Sequence, residues 1–413
     1  MALPEESVQL QNLKQKCQSG ETNFRISPST YCVFQAEAAK KAMADNYADM
    51  TLADRLSDLA KGRKSEPFSW QEIRSAWLSQ MKVLSQGPAL VMLADRMTQF
   101  FKQRHGQSAD LVWTIHQLIT QTLTPVIISG LSDADQRIIR QDQQDKFEFL
   151  LSSETSPQSR WRTMVRHWRS LRLGNVIRRE LKRRQQGKRP RQVDLLDPLV
   201  DMLPRLGLDR AVDAVVMVMT AIVGPPGAAA LSTCYELICR PDWATTLKAE
   251  LSAIPEHCFY AAPHKVAPDT SRFIKEVLRL WNVPVVLRKA RTDIEVEGEQ
   301  LLKDSLFYLS PYLIHRNPAY WQDPEIFDPD RWLATTEHSA PEPGTYVPFG
   351  WSPKSCIGSL LGSIQLTILC RLLTGPVRIE LEHSQELSMT ILAFPQPKNF
   401  YGKIVFTSSG EQL

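Results

Sequence analysis

The run Tyr346-Val347-Pro348-Phe349-Gly350-Trp351-Ser352-Pro353-Lys354-Ser355-Cys356-Ile357-Gly358 decides the fold of this chain. Its single cysteine, Cys356, follows an aromatic and turn-rich segment. A cation, Lys354, stands two residues before the cysteine, a glycine, Gly358, stands two residues after it, and a helical pattern follows. This arrangement suits a thiolate that a loop presents to a metal. A buried cysteine near a helix start is the alternative interpretation of the run taken alone.

The composition is that of a soluble globular protein. Of the 413 residues, 43% are hydrophobic and 23% are charged, and the net charge of +4 is too small to indicate nucleic-acid binding. The seven cysteines are scattered and form no CxxC pair, which argues against a disulfide framework and a zinc site and favours a cytoplasmic location. The N-terminal segment 1–25 is polar and lacks the apolar core of a signal peptide.

Apolar residues recur at helical spacing along most of the chain, and strand signals are few. The clearest predicted helices are 69–83, 90–104 and 111–128, and the predicted strands are 293–297, 306–310, 377–381 and 403–406. The sequence therefore predicts one domain over residues 1–413, mainly α with small β-sheets (α+β).

Two further segments have unusual compositions. The run 211–231 is almost wholly apolar, but Gly224-Pro225-Pro226-Gly227 interrupts it, so we expect a long helix buried in the core rather than a membrane span. The segment 160–191 holds thirteen Lys or Arg residues and one acid, Glu180. It predicts an amphipathic surface helix, with attraction to an anionic membrane surface or an acidic partner as the alternative.

Three charged residues outside the cysteine run form a second motif. Glu276 and Arg279 stand three residues apart on one face of a predicted helix, among apolar neighbours. A buried ion pair needs further hydrogen bonds to be tolerated, and Arg331, in the run 327–332, is the candidate third member.

The order of these motifs, Glu-x-x-Arg, Phe-x-Pro-x-Arg-Trp and the cysteine loop 345–358, resembles the cytochrome P450 family, with the bacterial soluble type as the expected kind. The match is strongest from about Thr270 to Thr374. It implies the P450 fold, a triangular helical body that holds haem b (iron protoporphyrin IX) between a long central helix and the cysteine loop. It also implies that Cys356 is the axial thiolate ligand of the iron.

The resemblance implies roles for other residues. Phe349 is expected beside the haem near the sulfur, and Gly358 lets the next helix approach the porphyrin, since it has no Cβ. The other implied haem contacts are Arg288 and Lys354, which pair with the propionates, and Trp77 on an early helix. The family usually shows Trp-x-x-x-Arg on that helix, and here Met81 follows Trp77 at the arginine position. Glu276, Arg279 and Arg331 are expected to form the family's structural triad.

The largest departure from the family is in the central helix, which is therefore expected to be atypical for oxygen activation. Monooxygenases of the family usually carry an acid followed by a threonine there, and that pair helps to deliver protons. Aligning Gly224 with the family's helix glycine puts Pro226 and Gly227 at those two positions, and Pro225 adds to the expected kink. By analogy with the family's substrate-contacting segments, the candidate pocket residues are Val223, Val285, Val286 and Phe394.

These residues imply an oxidoreductase from a biosynthetic pathway, such as secondary metabolite biosynthesis, that acts on a small apolar or aromatic molecule by phenol-type coupling or hydroxylation. Electrons would come from a separate ferredoxin- or flavodoxin-type donor, and neither nucleic acid nor a membrane anchor is expected. A haem-thiolate isomerase or dehydratase that needs no reductase is the first alternative, because it can lose the acid–threonine pair. A non-catalytic haem-binding protein is the second.

Overall fold

The computed structural model describes residues 4–19, 21, 23–46, 49–51, 71–152, 160–333, 341–352, 355–383 and 386–407. The chain forms two compact units, each built from separate stretches of sequence. The first unit contains residues 1–53, 101–112 and 228–413, and the second contains residues 54–100 and 113–227. The single domain predicted over 1–413 stays a prediction.

Helices account for 59% of the structure, which confirms the mainly α class. Those within the described residues are α1 (Val8–Gln18), α2 (Ala36–Asp45), α3 (Gln71–Leu84), α4 (Gly87–Gln103), α5 (Leu111–Ile127), α6 (Asp133–Ser152), α7 (Arg160–Gln185), α8 (Asp197–Leu206), α9 (Leu208–Ala221), α10 (Pro225–Cys239), α11 (Pro241–Ala253), α12 (Glu256–Ala261), α13 (Pro263–Val266), α14 (Pro268–Leu280), α15 (Pro311–Ile314) and α16 (Ser359–Thr374). A short 3-10 helix spans Pro329–Trp332. The helices predicted at 69–83, 90–104 and 111–128 correspond to α3, α4 and α5.

The described strands all belong to the first unit and form small sheets. They are β1 (Glu5–Glu6), β2 (Asn23–Ser27), β3 (Thr30–Val33), β4 (Met50–Thr51), β5 (Ser108–Asp110), β6 (Val286–Ala290), β7 (Ile294–Val296), β8 (Glu299–Leu301), β9 (Leu306–Leu309), β10 (Val377–Leu381), β11 (Ser388–Ile391), β12 (Pro395–Lys398) and β13 (Tyr401–Phe406). Their orders are β2-β3-β9-β6-β4, β1-β11-β12, β10-β13-β5 and β7-β8. The four predicted strands are confirmed as β7, β9, β10 and β13.

Helix α14, which carries the Glu-x-x-Arg pair, is anchored at its N-terminus by a carboxylate from α11. Glu250 accepts hydrogen bonds from the backbone N–H groups of Asp269 (2.7 Å) and Thr270 (2.9 Å). These donors have no partner within the helix, so the carboxylate satisfies them and also opposes the positive end of the helix dipole. The first turn of α14 is thereby fixed, and with it the direction in which the pair projects.

The long apolar segment is two helices rather than the single kinked helix expected from its composition. Helix α9 ends at Ala221 and α10 begins at Pro225, with a turn between them. Both prolines lie in the first turn of α10, where a missing N–H breaks no intrahelical hydrogen bond. The cost expected for proline in a helix interior therefore does not arise, because the chain starts a new helix at this point.

Taken together, α9, α10 and the turn between them (Leu208–Cys239) form the one described segment that is long and apolar enough to cross a membrane. However, 67% of its most apolar window is buried inside the protein. That burial is expected of a core helix, in agreement with the prediction made from Gly224-Pro225-Pro226-Gly227.

Candidate functional site

The cysteine loop presents Cys356 at the N-terminus of α16. The Cys356 N–H donates to the carbonyl of Phe349 (2.8 Å), and the Cys356 Sγ accepts the N–H of Gly358 (3.3 Å). Gly358 is the N-cap residue of α16, and the cysteine side chain is exposed. Backbone N–H donors and the positive end of a helix dipole favour a thiolate. The loop therefore holds a sulfur that is both accessible and suited to ligate a metal.

Two other glycines shape this loop. Gly350 has a φ of +75°, a conformation that side chains rarely adopt, so the turn after Phe349 requires glycine. A Cβ on Gly362, in the first turn of α16, would lie 3.9 Å from Cε1 of Phe349, which places the Phe349 ring against that turn. The loop thus folds back on the helix that it precedes. Pro353 and Lys354 lie outside the described residues, so the proposed propionate contact of Lys354 stays a prediction.

Glu276 and the two arginines predicted as its partners are brought together. Arg279 donates to both carboxylate oxygens of Glu276, through Nε (2.9 Å) and Nη2 (2.8 Å), and Arg331 donates through Nε (3.0 Å). The carboxylate also accepts the N–H of Asp328 (2.9 Å) and the indole N–H of Trp332 (3.1 Å). Five donors therefore surround one carboxylate with no exposed surface, which is the condition under which a buried charge is tolerated.

Arg279 also joins this triad to the loop before the cysteine run. Its Nη1 donates to the carbonyls of His315 (2.8 Å) and Pro324 (2.7 Å), and its Nη2 donates to the carbonyl of Ile326 (2.9 Å). The guanidinium is fully buried, so each of these acceptors replaces water. The arginine consequently fixes the path of the backbone through residues 315–326.

His315 links the triad to the cysteine loop, a role that the sequence did not reveal. Its Nε2 accepts the N–H of Val347 (2.9 Å), so its Nδ1 carries the proton and donates to the carbonyl of Arg279 (3.0 Å). Burial lowers its pKa to about 3, with a further contribution from the positive charge of Arg279. The imidazole is therefore neutral at physiological pH, in the one tautomer that bridges helix α14 and the loop.

Arg288, on strand β6, is a cation without an anion among the residues that the structure describes. Its Nη1 donates to the carbonyl of Leu287 (2.9 Å), and burial lowers its pKa to about 10. A guanidinium held away from water is costly unless a negative group neutralises it. A haem propionate is such a group, so this side chain fits the cofactor that the cysteine loop implies.

The indole N–H of Trp77 donates to a backbone carbonyl within the second unit. The side chain is fully buried on α3, and its Nε1 donates to the carbonyl of Leu195 (2.8 Å) within the second unit. An indole has a single N–H donor, and here a backbone carbonyl occupies it. This N–H is therefore not available to a propionate, and the haem contact predicted for Trp77 stays a prediction.

The Trp-x-x-x-Arg spacing occurs seven residues earlier in the chain. Trp70 and Arg74 are four residues apart, whereas Trp77 is followed at that distance by Met81. Arg74 lies near the start of α3 and is half-buried, and Trp70 lies outside the described residues. Arg74 is therefore a second candidate for the arginine of this motif, which the match at Trp77 obscured.

The helix break in the second unit is filled by an imidazole that the sequence did not indicate. A Cβ placed on Gly227 would lie 2.9 Å from Cγ of His116, on α5, and closer still to Nδ1 and Cε1. The His116 ring is buried, packs on Phe147 with ring centroids 3.9 Å apart, and has no hydrogen-bond partner at Nδ1 among the described residues. Position 227 therefore has no room for any side chain.

His116 is neutral in this environment. Burial lowers its pKa to about 3, and a hydrogen bond with the backbone of Val223 opposes that effect. Val223 is buried in the turn between α9 and α10, so the imidazole contacts the break at two points, 223 and 227. A threonine at 227 would collide with this ring, so the position predicted to correspond to the family's threonine is closed in this chain.

The remaining predicted pocket residues belong to the first unit. Val285 and Val286 are half-buried and stand at the start of β6, two or three residues before Arg288. Phe394 is half-buried in the turn between β11 and β12, and its carbonyl accepts the N–H of Leu392 (3.4 Å). Their assignment to a substrate pocket stays a prediction.

Comparison with known proteins identifies one family. The family model described as Cytochrome P450 matches residues 64–386. Among curated proteins, the chain is 38% identical to 25-hydroxyvitamin D-1 alpha hydroxylase, mitochondrial, of Mus musculus over 150 residues (34% of this chain and 29% of that protein). It is 34% identical to cyclooctatin synthase of Streptomyces melanosporofaciens over 111 residues (27% and 24%). The aligned part is less than a third of the length of these two relatives.

Solved structures show the same fold. A cytochrome P450DA heme domain superimposes with a TM-score of 0.74 at 16% identity, covering 98% of this chain and 94% of that one. A structure of a zebra fish cytochrome P450 with progesterone superimposes with a TM-score of 0.77 at 18% identity, covering 98% of this chain and 100% of that one. The predicted fold class is thereby confirmed over nearly the whole chain.

Proposed function

The chain belongs to the cytochrome P450 family, whose cofactor is haem, and we propose that it is a haem-thiolate oxidoreductase of the monooxygenase type. The observation that carries this proposal is the placement of Cys356 at the N-terminus of α16, exposed and hydrogen-bonded to the N–H of Gly358. A thiolate in this position can serve as an axial ligand of haem iron. The same placement argues against a merely structural cysteine, which would be buried.

Haem, when bound, supplies the iron centre at which oxygen is reduced and the substrate is oxidised. Cys356 would ligate the iron, while Phe349 and Gly358 shape the protein around the sulfur. Arg288 would neutralise one propionate, since it is a half-buried cation whose guanidinium has no carboxylate partner among the described residues. For the early helix we propose Arg74 in place of Trp77, on the strength of its spacing from Trp70.

The triad of Glu276, Arg279 and Arg331 positions the cysteine loop and takes no part in the reaction. Glu276 holds Arg279 and Arg331, and Arg279 positions the carbonyl and imidazole of His315. His315 in turn accepts the N–H of Val347, nine residues before Cys356. This chain of hydrogen bonds fixes the start of the cysteine loop, so the sulfur is held in place before a ligand binds.

Proton delivery in this chain differs from that of the usual monooxygenase helix. Position 226 is proline and position 227 is closed by His116, so neither can carry an acid or a hydroxyl. We therefore propose that groups on the substrate, such as a phenolic hydroxyl, assist proton transfer, which favours coupling of phenols or hydroxylation of a substrate with its own hydroxyl. The same observation favours a second candidate, a haem-thiolate isomerase or dehydratase that acts on a substrate that is already oxidised.

The proposed substrate is a small apolar or aromatic molecule. Val223, Val285, Val286 and Phe394 are apolar, as expected of a pocket for such a ligand.

Electrons would come from a separate ferredoxin- or flavodoxin-type protein. A cytoplasmic location fits the cysteines, all of which lie within the described residues and none of which forms a disulfide. A biosynthetic role, such as secondary metabolism, completes the proposal.

Reduction of the purified protein under carbon monoxide tests the ligand assignment. We expect the red-shifted Soret band of a thiolate-ligated haem, and we expect Cys356→Ala to lose it. Cys258→Ala is the matched control, because Cys258 is another thiol of the first unit, on α12, and this variant should keep the band. Persistence of the band in a folded Cys356→Ala protein would contradict the proposal.

Turnover assays separate the two candidate functions. An oxidoreductase needs an electron donor, so product should appear only when a reductase system and oxygen are supplied. An isomerase or dehydratase should convert hydroperoxide-bearing substrates without reductant. Conversion of such substrates at full rate in the absence of any electron donor would replace the first candidate with the second.

A further inference from the structure

Helix α7 leaves a row of large apolar side chains in solvent. Trp161, Met164, Trp168 and Leu171 are 66%, 53%, 55% and 47% exposed. Their spacing of three, four and three residues puts them on one face of the helix. We call these four residues the α7 stripe. Single exposed apolar residues are ordinary on a protein surface, but a contiguous row of this size marks a contact site.

The α7 stripe is distinct from the face by which the helix packs in its own unit. Leu173, Val176, Ile177 and Leu181 are buried and anchor the C-terminal half of α7. Ser170 is also buried and donates to Asp142 of α6 (2.8 Å). The helix is therefore held by one face along α6 and the core, while its N-terminal half carries a second apolar face that needs no intramolecular partner for stability.

Cations surround and extend the α7 stripe. The segment 160–191 contains thirteen Lys or Arg residues and one acid. Some are neutralised within the second unit, as in the ion pairs Arg169–Asp145 and Arg179–Asp135. Arg172 lies over the ring of Trp168, 4.7 Å from its centroid, and the exposed Lys182 continues the same helix face beyond Leu171. The surface thus combines exposed indoles with a strong excess of positive charge.

This combination selects among possible occupants. A second copy of the chain would bring Arg172 and Lys182 close to the same cations of its partner, and repulsion between like charges opposes that contact. A neutral apolar partner would leave the cations without counter-charges. An anionic lipid surface suits both the exposed indoles and the cations. Tryptophan prefers the interface between headgroups and acyl chains, and arginine pairs with phosphate.

We propose that the α7 stripe docks on the surface of an anionic bilayer. The helix lies in the plane of the interface, with Trp161, Met164, Trp168 and Leu171 at the level of the acyl-chain boundary and the cations at the lipid phosphates. The binding is peripheral and reversible, and it does not require the buried helices α9 and α10 to leave the core. It rests on α7 alone and is independent of the reaction that the haem site performs.

Vesicle sedimentation of the haem-loaded, full-length protein tests this proposal. We expect co-sedimentation with vesicles in which about a third of the lipid is phosphatidylglycerol, and little with pure phosphatidylcholine. Trp161→Ser with Trp168→Ser should lower the partition coefficient by about tenfold or more. Leu302→Ser with Ile326→Ser is the matched control, since both residues are exposed and apolar but lie outside α7, and it should change nothing.

A second pair of variants separates charge from apolar contact. Arg172→Gln with Lys182→Gln should weaken binding by about fivefold for each cation removed, and high salt should reproduce this loss. Arg205→Gln with Lys303→Gln removes two exposed cations outside α7 and should leave binding intact. Equal binding to both kinds of vesicle, no binding to either, or equal losses in the control variants would overturn the proposal. The proposal would also be overturned if the protein is a dimer in solution and the Trp161→Ser with Trp168→Ser variant is a monomer.

Discussion

The cysteine region of the first unit and the helix break of the second differ in what fixes their geometry. Around Glu276, five N–H donors satisfy one buried carboxylate, and the network continues through His315 to Val347. At the break, no comparable network exists among the described residues, and His116 instead fills the space above Gly227. Hydrogen bonds therefore fix the geometry around Glu276, whereas steric contact with His116 fixes the geometry of the helix break.

This difference determines how each region should respond to substitution. In a saturated polar network, removal of one partner leaves the others buried and unsatisfied, so the loss is large. At a site fixed by shape, a substitution matters only if it changes volume, and a compensating change nearby can restore the fit. Substitutions in the two regions should therefore differ both in the size of the loss and in whether a second change can reverse it.

Glu276→Ala should have the largest effect. It leaves the guanidinium groups of Arg279 and Arg331 without their counter-charge inside the protein, which costs about 3–5 kcal/mol of folding free energy. Thermal unfolding of the haem-loaded protein measures the loss, and the haem content of the purified variant should fall with it. Glu299→Ala is the control, because its ion pair with Arg25 is exposed and contributes about 0–1 kcal/mol. Similar losses of stability in Glu276→Ala and Glu299→Ala would show that the buried network contributes no more than an exposed ion pair.

Gly227→Ala should destabilise the protein by about 1–3 kcal/mol, because the new methyl group collides with the His116 ring. His116→Ala removes the obstacle, so the double variant should be more stable than the sum of the two single changes predicts, with a coupling of about 0.5–3 kcal/mol. Additive effects in this double-mutant cycle, measured by thermal unfolding, would show that the contact does not fix the break.

Gly174→Ala on α7 is the matched control for the glycine substitution. A Cβ there would lie 3.7 Å from Cγ1 of Val212, which is an ordinary packing distance. Alanine in place of glycine within a helix then stabilises by about 0.4–1 kcal/mol. The two glycines should therefore respond with opposite signs, which separates the effect of helix propensity from that of the imidazole.

The same contrast explains which features the sequence could predict. The three-residue spacing of Glu276 and Arg279 predicted that they share a helix face, and the resemblance to the cytochrome P450 family implied Arg331 as the third member of the triad. The helical pattern after Cys356 predicted the cysteine at a helix start. Such motifs constrain local backbone, so most of the information lies within a few neighbouring residues. The mainly α fold followed from apolar periodicity in the same way.

The features that the sequence did not reveal depend on contacts between distant residues. His116 stands on an apolar helix, and no pattern there indicates that its ring would meet Gly227, more than a hundred residues later. The two prolines predict a kink only if the helix is continuous, whereas the chain begins a new helix at Pro225. Steric fit of this kind becomes visible only when the packing is known.

The two candidates on α3, Trp77 and Arg74, should differ in what their substitution changes. Trp77→Phe removes the hydrogen bond to the carbonyl of Leu195 and should cost about 1 kcal/mol of stability while haem is retained as before. Arg74→Gln should do the opposite, with faster transfer of haem to an acceptor protein and little change in the unfolding midpoint. Arg140→Gln, which alters an exposed arginine of α6, is the control for lost charge. If Trp77→Phe accelerates haem loss and Arg74→Gln does not, Trp77 is the haem contact on α3, as the motif predicted. The second unit would then contain a residue placed by a short motif, as the cysteine region does.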